Sequence, residues 1–207
     1  MDIRRDNQGM RFKVLGINFH ISVPFTVMLA FLLIVDKTGL MSASIFAVVV
    51  HELGHILMMR HLKCLPREVS FCIFGISIVG ASFCTFKENI KIAIFGPLAN
   101  FFLFVVFYII GVLMANNLIL AFSAVQLVEG TVNMFPVIGL DGGTVLKCIV
   151  NSLNIKGKNL IINGISFLTA FAVFILGMAV AVKNVSNPSL LLLGIYLIIT
   201  HVYKFNV

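Results

Sequence analysis

The stretch LMSASIFAVVVHELGHILMM, residues 40 to 59, decides how this chain is read. It has the length of a bilayer-crossing helix, which needs about 20 apolar residues, yet its second half carries His51, Glu52 and His55. An isolated charge at a bilayer centre costs at least about 2.5 to 3.5 kcal/mol on insertion scales, so ionisable residues in such a run point to function before packing. The rest of the chain sustains the membrane reading. Of 207 residues, 60% are hydrophobic and 11% charged, with a mean hydropathy of +1.09; a soluble domain of this size would be roughly 25% charged.

Apolar runs long enough to span fall near residues 17–35, 40–59, 92–115, 117–138, 159–182 and 188–203, which predicts an α-helical integral membrane protein with about six transmembrane helices. With both termini cytoplasmic, all of the 15 Lys and Arg residues except Lys37 and Lys183 lie inside, among them Arg4, Arg5 and Arg67. That asymmetry is the positive-inside signature of a multi-pass cell-membrane protein. The net charge of +7 is then accounted for by anionic inner-leaflet lipid, and nucleic acid is not an expected partner. A basic stretch ahead of an apolar run, followed by Ser42, Ala43 and Ser44, also resembles a cleaved leader. Cleavage there would invert the charge logic, so the first span is expected to stay. The four cysteines, Cys64, Cys72, Cys84 and Cys148, fall on the reducing side and form no C-x-x-C pair.

Between the second and third spans, CLPREVSFCIFGISIVGASFCTFKEN (residues 64–89) is apolar but punctuated by Pro66, Gly75 and Gly80 and rich in β-branched and aromatic residues. This composition favours a short membrane-associated β ribbon over about 66–86. Open strands cannot face lipid with unpaired backbone groups, so the ribbon belongs at the cytoplasmic surface or against protein, where a free edge would accept an extended peptide.

His51 and His55 at i, i+4 share one helix face a turn apart, the geometry with which H-E-x-x-H holds zinc. Glu52 then stands beside the metal as the base that takes a proton from water and hands it to a leaving amine. A catalytic zinc wants three protein ligands and an open position. His61 completes a metzincin-like spacing, but Met58 stands where that motif needs glycine. On a continuing helix His61 also points about 240° away. His61, His20 and His201 therefore read as interface or packing residues.

The better third ligand lies in NMFPVIGLDGG, residues 133–143. Pro136, Gly139, Gly142 and Gly143 make a continuous helix improbable there. Broken backbone at membrane depth is tolerated where it is buried in protein or lines a watery cavity, so Asp141 can turn an oxygen toward the histidines. Glu129, at i, i+4 to Asn133, shares its face; it reads as a partner of a ligand, a rival ligand or a protonated core residue.

With these motifs in order, the chain resembles the site-2 protease family of intramembrane zinc metalloproteases, peptidase family M50. HELGH, the segment GPLAN (residues 96–100) and N-x-x-P-x-x-x-L-D-G-G carry the resemblance, over roughly residues 45–150. It implies one zinc per chain held by His51, His55 and Asp141, with Glu52 as catalytic base and Asn133 placing substrate near the metal. The implied reaction is hydrolysis of a peptide bond within or next to a transmembrane segment, near the cytoplasmic side, in regulated intramembrane proteolysis. A sigma-factor pro-protein or an anti-sigma factor is the expected kind of substrate, and regulatory membrane proteins are expected partners.

The layout is similar to the stage IV sporulation protein FB subgroup, without its CBS domain and without a PDZ insertion. A single membrane-embedded metalloprotease domain over 1–207, with its core at 40–150, is expected. Prolines often found between Pro136 and Asp141 in that family are replaced here by Val137, Ile138 and Gly139. Two rival readings use the same residues. A membrane metal transporter would set ligands along a path, often from pseudo-symmetric halves, and has no need of Glu52 as a base. A catalytically inactive site-2 protease relative would bind membrane segments without cutting them.

Overall fold

The computed structural model describes residues 9–14, 17–66, 68–72, 75–79, 84–153, 155–183 and 188–205. Arg4, Arg5, Arg67 and Gly80, used in the charge and turn readings, lie outside the described residues. The chain is mostly helical, with a small sheet formed from its N-terminal residues and the expected ribbon.

The first expected span is corrected. Residues 9–14 and 17–22 alternate apolar with polar side chains, Met10, Phe12 and Val14 against Arg11 and Lys13, then Ile17, Phe19 and Ile21 against Asn18, His20 and Ser22. This period of two makes strands of them: β1 (Gly9–Val14) and β2 (Ile17–Ser22), an antiparallel hairpin. Helix α1 (Val23–Val35) starts only where the alternation stops, with the Ser22 hydroxyl accepting the Phe25 N–H at 3.4 Å and Pro24 in the first turn. At 13 residues it is about 20 Å long.

The ribbon supplies β3 (Glu68–Cys72) and β4 (Gly75–Val79), also antiparallel. It does not stand alone. β3 pairs parallel with β2, His20 lying opposite Ser70, so the sheet runs β1-β2-β3-β4. An isolated two-stranded ribbon is marginal in stability, and the N-terminal hairpin provides the further strands it needs. β4 is one edge of this sheet among the described residues.

Helix α2 (Leu40–His61) follows Gly39, whose φ of 76° turns the chain into it. Asp36 closes this N-terminus from outside. Its Oδ2 accepts the Ser42 N–H at 3.0 Å and its Oδ1 the N–H groups of Thr38 and Gly39 at 3.1 and 2.9 Å. The bonds from Ser42 and Thr38, Ser42's backbone donor foremost, hold the carboxyl at a pKa of about 2. Helix α3 (Phe86–Leu113) opens on a capping box in which Thr85 Oγ1 accepts the Glu88 N–H and Glu88 accepts the Thr85 N–H at 2.7 Å.

Helix α4 (Asn117–Asn133) is capped by Asn116 and ends at the Asn133 of the broken motif. The chain crosses residues 134–140 without helix, Gly139 taking φ 105°, and re-enters helix at Asp141 as α5 (Asp141–Ser152). The fourth apolar run thus stops five residues short of the expected 138. Two further helices follow, α6 (Lys158–Lys183) and α7 (Ser189–Phe205).

Among the described residues, three helices are long and apolar enough to cross a membrane, at Leu40–His61, Phe86–Leu113 and Lys158–Val182, while α1 and α7 are shorter apolar helices. Helices α2, α4 and α5 pack on α3, and α6 pairs with α7. The hairpin α6–α7 meets the rest of the chain at α5 and at the 134–140 segment, where Val137 and Leu140 join Ala170, Val173 and Leu197 in one core. Large apolar side chains such as Ile34, Leu113 and Leu160 face outward, as contact with lipid tails permits.

Candidate metal centre

Close approach of α2 to α3 builds the site. At Gly54 of HELGH, any Cβ would lie 2.5 Å from the Phe95 carbonyl oxygen and 3.0 Å from Ala99 Cβ. At Gly96 of GPLAN, a Cβ would overlap the His55 ring and sit 2.9 Å from His51 Nε2. Each glycine makes room for what the other helix brings, so the two imidazoles lie buried against α3 backbone. Their rings meet edge to face, 4.6 Å between centroids.

The far side of each ring is fixed by a hydrogen-bond acceptor. His55 Nδ1 lies 2.8 Å from the Ile92 carbonyl oxygen, five residues before Pro97. His51 Nδ1 lies 3.2 Å from Asn100 Oδ1. The Asn100 amide is itself oriented, since its Nδ2 donates to the Ala47 carbonyl and to Gln126 Oε1, both at 3.1 Å, leaving Oδ1 to face the histidine. Each Nδ1 therefore carries the proton, and each Nε2 presents a lone pair.

Those lone pairs converge on a carboxylate. His51 Nε2 and His55 Nε2 are 3.0 Å apart and lie 2.8 and 3.2 Å from Asp141 Oδ2. With both rings neutral and donating from Nδ1 on the opposite side, no ring hydrogen stands between these three atoms, and Asp141 Oδ2 is buried without a hydrogen-bond partner among the described residues. Three mutually repelling acceptors held together are stabilised by a cation. Their separations approach the tetrahedral edge of about 3.3 Å set by zinc–ligand bonds of about 2.0 to 2.1 Å. His51, His55 and Asp141 form the metal-competent group among the described residues.

The glycines after Asp141 explain how it arrives. A Cβ at Gly142 would overlap the backbone of Met134 and Phe135, and one at Gly143 the backbone of Val137 and Ile138. Only a bare backbone lets the first turn of α5 tuck under the broken segment, so D-G-G reads as a close-approach motif with its acid at the first helical position.

The other expected site residues separate cleanly. Glu52 is half-buried beside the group, within electrostatic reach of both histidines, Asp141 and Glu129. Asn133 Nδ2 donates to Glu129 Oε1 at 3.0 Å and to the Glu129 carbonyl at 3.2 Å. Both residues line a cavity of about 530 Å³ between α4 and α7, with Leu140, next to Asp141, in its wall. His61 is exposed at the end of α2, outside the cluster. His20 lies on β2, and His201 is buried in α7. The roles of Asn100, Gln126 and Gly96 were not anticipated from sequence. The available signal was polar side chains in apolar helices, which carry a cost unless they serve something.

No family model matches the sequence. Over 155 aligned residues the chain is 25% identical to a curated zinc metalloprotease of Methanocaldococcus jannaschii, an alignment that covers 68% of this chain and 44% of that protein. The solved structure of a site-2 protease from the same organism superposes with a TM-score of 0.62 at 21% identity, over 96% of each chain. The fold is that of a site-2 protease. Together with the His-His-Asp group, the two likenesses support the site-2 protease family.

Proposed function

We propose that this chain is an intramembrane zinc metalloprotease of the site-2 protease type, hydrolysing a peptide bond within or next to a transmembrane segment of a membrane protein, near the cytoplasmic side. The observation that carries the reading is the convergence of His51 Nε2, His55 Nε2 and Asp141 Oδ2 with Glu52 beside them. One zinc per chain fits this single group. A bound zinc supplies an acidified water and polarises the scissile carbonyl. The protein's own contribution is to hold the ligands' lone pairs inward through Asn100 and Ile92, and to place Glu52 where it accepts the water's proton and delivers it to the amine nitrogen.

The cavity beside Glu129 and Asn133 is of a size to admit an unwound stretch of substrate, and the Asn133 amide, held by Glu129, serves as its polar contact. Six membrane crossings, α2, α3 and α6 together with the shorter α1, α4 and α7, with both termini cytoplasmic, and a single metalloprotease domain over 1–207 complete the reading. A sigma-factor pro-protein or an anti-sigma factor is the substrate class to try first, with regulatory membrane proteins as further partners.

The test compares wild type with Glu52→Gln in detergent, measuring bound zinc and cleavage of single-span membrane peptides that include sigma-factor pro-sequences. Zinc in both with cleavage by the wild type alone is the expected outcome, with a rate loss of about 10² to 10⁴ for removing a general base. Equal cleavage by both proteins would sink the assignment of Glu52. Metal flux in vesicles carrying Glu52→Gln would favour a transporter instead.

A further inference from the structure

Two buried polar residues far from HELGH in sequence remain outside the mechanism described. Ser166, in the first half of α6, is fully buried, and His201, near the end of α7, is 8% exposed. Ser166 Oγ lies 2.8 Å from His201 Nδ1 and accepts the N–H of Ile138 at 2.9 Å.

Four other helical hydroxyls of this chain behave differently. Ser44, Thr26, Thr169 and Thr200 each donate to the carbonyl four residues back in the chain, the default for Ser and Thr in helices. Ser166 instead turns toward another helix. Its oxygen accepts the Ile138 N–H and is hydrogen-bonded to His201 Nδ1, so that α7, α6 and the broken segment are joined by two consecutive bonds.

What the bonds hold matters more than that they exist. Ile138 lies between Pro136 and Gly139, where its N–H has no helical carbonyl to bond, and three residues later the chain delivers Asp141. Val137, beside it, is fully buried against the same two helices. The segment is thus gripped by one apolar and one polar contact, both supplied by α6 and α7, at the point that sets where the Asp141 carboxylate sits.

Resting on the zinc reading above, we infer that Ser166 and His201 are positioning residues for the metal centre: His201 orients the Ser166 hydroxyl, and Ser166 fixes the Ile138 amide that places Asp141. Neither touches the metal group, and each acts through the next. Residues that orient metal ligands from outside typically change metal affinity by about 10- to 100-fold.

The experiment uses the full-length protein in detergent with Zn²⁺ and Co²⁺ alone as probes. Wild type, Ser166→Ala, His201→Leu, His201→Asn and the Ser166→Ala/His201→Leu double variant are compared for Zn²⁺ affinity against a chromophoric chelator. The Co²⁺ absorption bands report ligand geometry, and metal-free thermal unfolding reports the fold. Ser166→Ala and His201→Leu are expected to weaken Zn²⁺ about tenfold and shift the Co²⁺ bands. His201→Asn, whose side-chain amide can both donate to and accept from Ser166 Oγ where Nδ1 stood, is expected to restore both. The double variant should be no worse than the poorer single one, because the two residues act as one unit.

If His201→Asn is as weak as His201→Leu, or if Ser166→Ala binds as wild type with unchanged Co²⁺ bands, the proposal is overturned and the pair only packs. Should His201→Leu fail to fold, Ser166→Ala, which removes one oxygen, decides alone. Wild type that binds no metal would overturn the zinc reading together with this one, whereas metal-binding wild type matched by every variant would overturn this one only.

Discussion

Helix pair α2–α3 and helix pair α6–α7 use the same device for different ends. In both, glycines bring two apolar helices closer than side chains allow: Gly54 and Gly96 in the first, and in the second Gly177 against Leu191 and Gly194 against Phe174, where a Cβ would lie 2.6 and 2.5 Å from the facing Cα atoms. Small residues at helix crossings are the usual way for membrane helices to associate. In α2–α3 the space at Gly96 is filled by two imidazoles, whereas at Gly177 and Gly194 in α6–α7 it is filled mostly by backbone. Apolar composition alone therefore does not separate a structural crossing from a chemical one; the polar residues beside the glycines do.

The sharpest way to break that comparison is to add one methyl group to each pair. Gly96→Ala drives a Cβ into the His55 ring and is expected to abolish zinc binding and cleavage, since the ring cannot yield without leaving the Ile92 carbonyl that holds it. Gly194→Ala crowds Phe174 and is expected to destabilise by about 1 to 3 kcal/mol, the range for overpacking, with a much smaller change in zinc affinity. Bound zinc and thermal unfolding of both variants check this. Equal zinc loss in the two would show that the pairs do not differ in the way described.

A finer cut falls within the first pair. Asn100→Ala removes the acceptor that keeps the proton on His51 Nδ1 while leaving all three candidate ligands in place. Zinc affinity is expected to fall about 10- to 100-fold, measurable by chelator competition, and Ile92, whose backbone oxygen does the same for His55, cannot be removed by substitution. Unchanged affinity would mean that burial alone orients the His51 ring.

How much of this was legible in the sequence follows from the range of each interaction. His51, Glu52 and His55 could be read because their geometry is set within one helical turn, and Asp141 because proline and glycines announced a break. The sheet was half legible. Its ribbon carried a strand composition, but β2 was absorbed into an apolar run, although Asn18, His20 and Ser22 alternate through it. Asn100, Ser166 and His201 were illegible because their partners lie 49, 28 and 35 residues away, and no local pattern encodes such pairings. GPLAN was noticed as a likeness, and only the fold shows that its glycine seats the histidines and its asparagine orients one of them.

The smallest expected effect lies at the turn that starts α2. Asp36 is ionised at neutral pH in both folded and unfolded chains, but folding adds the donors of Ser42 and Thr38, and its pKa falls from 3.8 to about 2. A carboxyl whose folded pKa is depressed contributes stability that is complete above its unfolded pKa and disappears as pH falls through the folded one. The difference in thermal stability between wild type and Asp36→Asn should therefore be constant from neutral pH down to about 4, shrink between about 4 and about 2, and vanish below. The metal group is too far along α2 to take part: His51 lies eleven residues past Leu40, about 16 Å along the axis. Zinc affinity at neutral pH should accordingly match wild type. A stability difference that does not vary between about 4 and about 2 would show that Asp36 acts by shape and not by charge, and a loss of zinc would show that the start of α2 and its metal-bearing end are mechanically one unit.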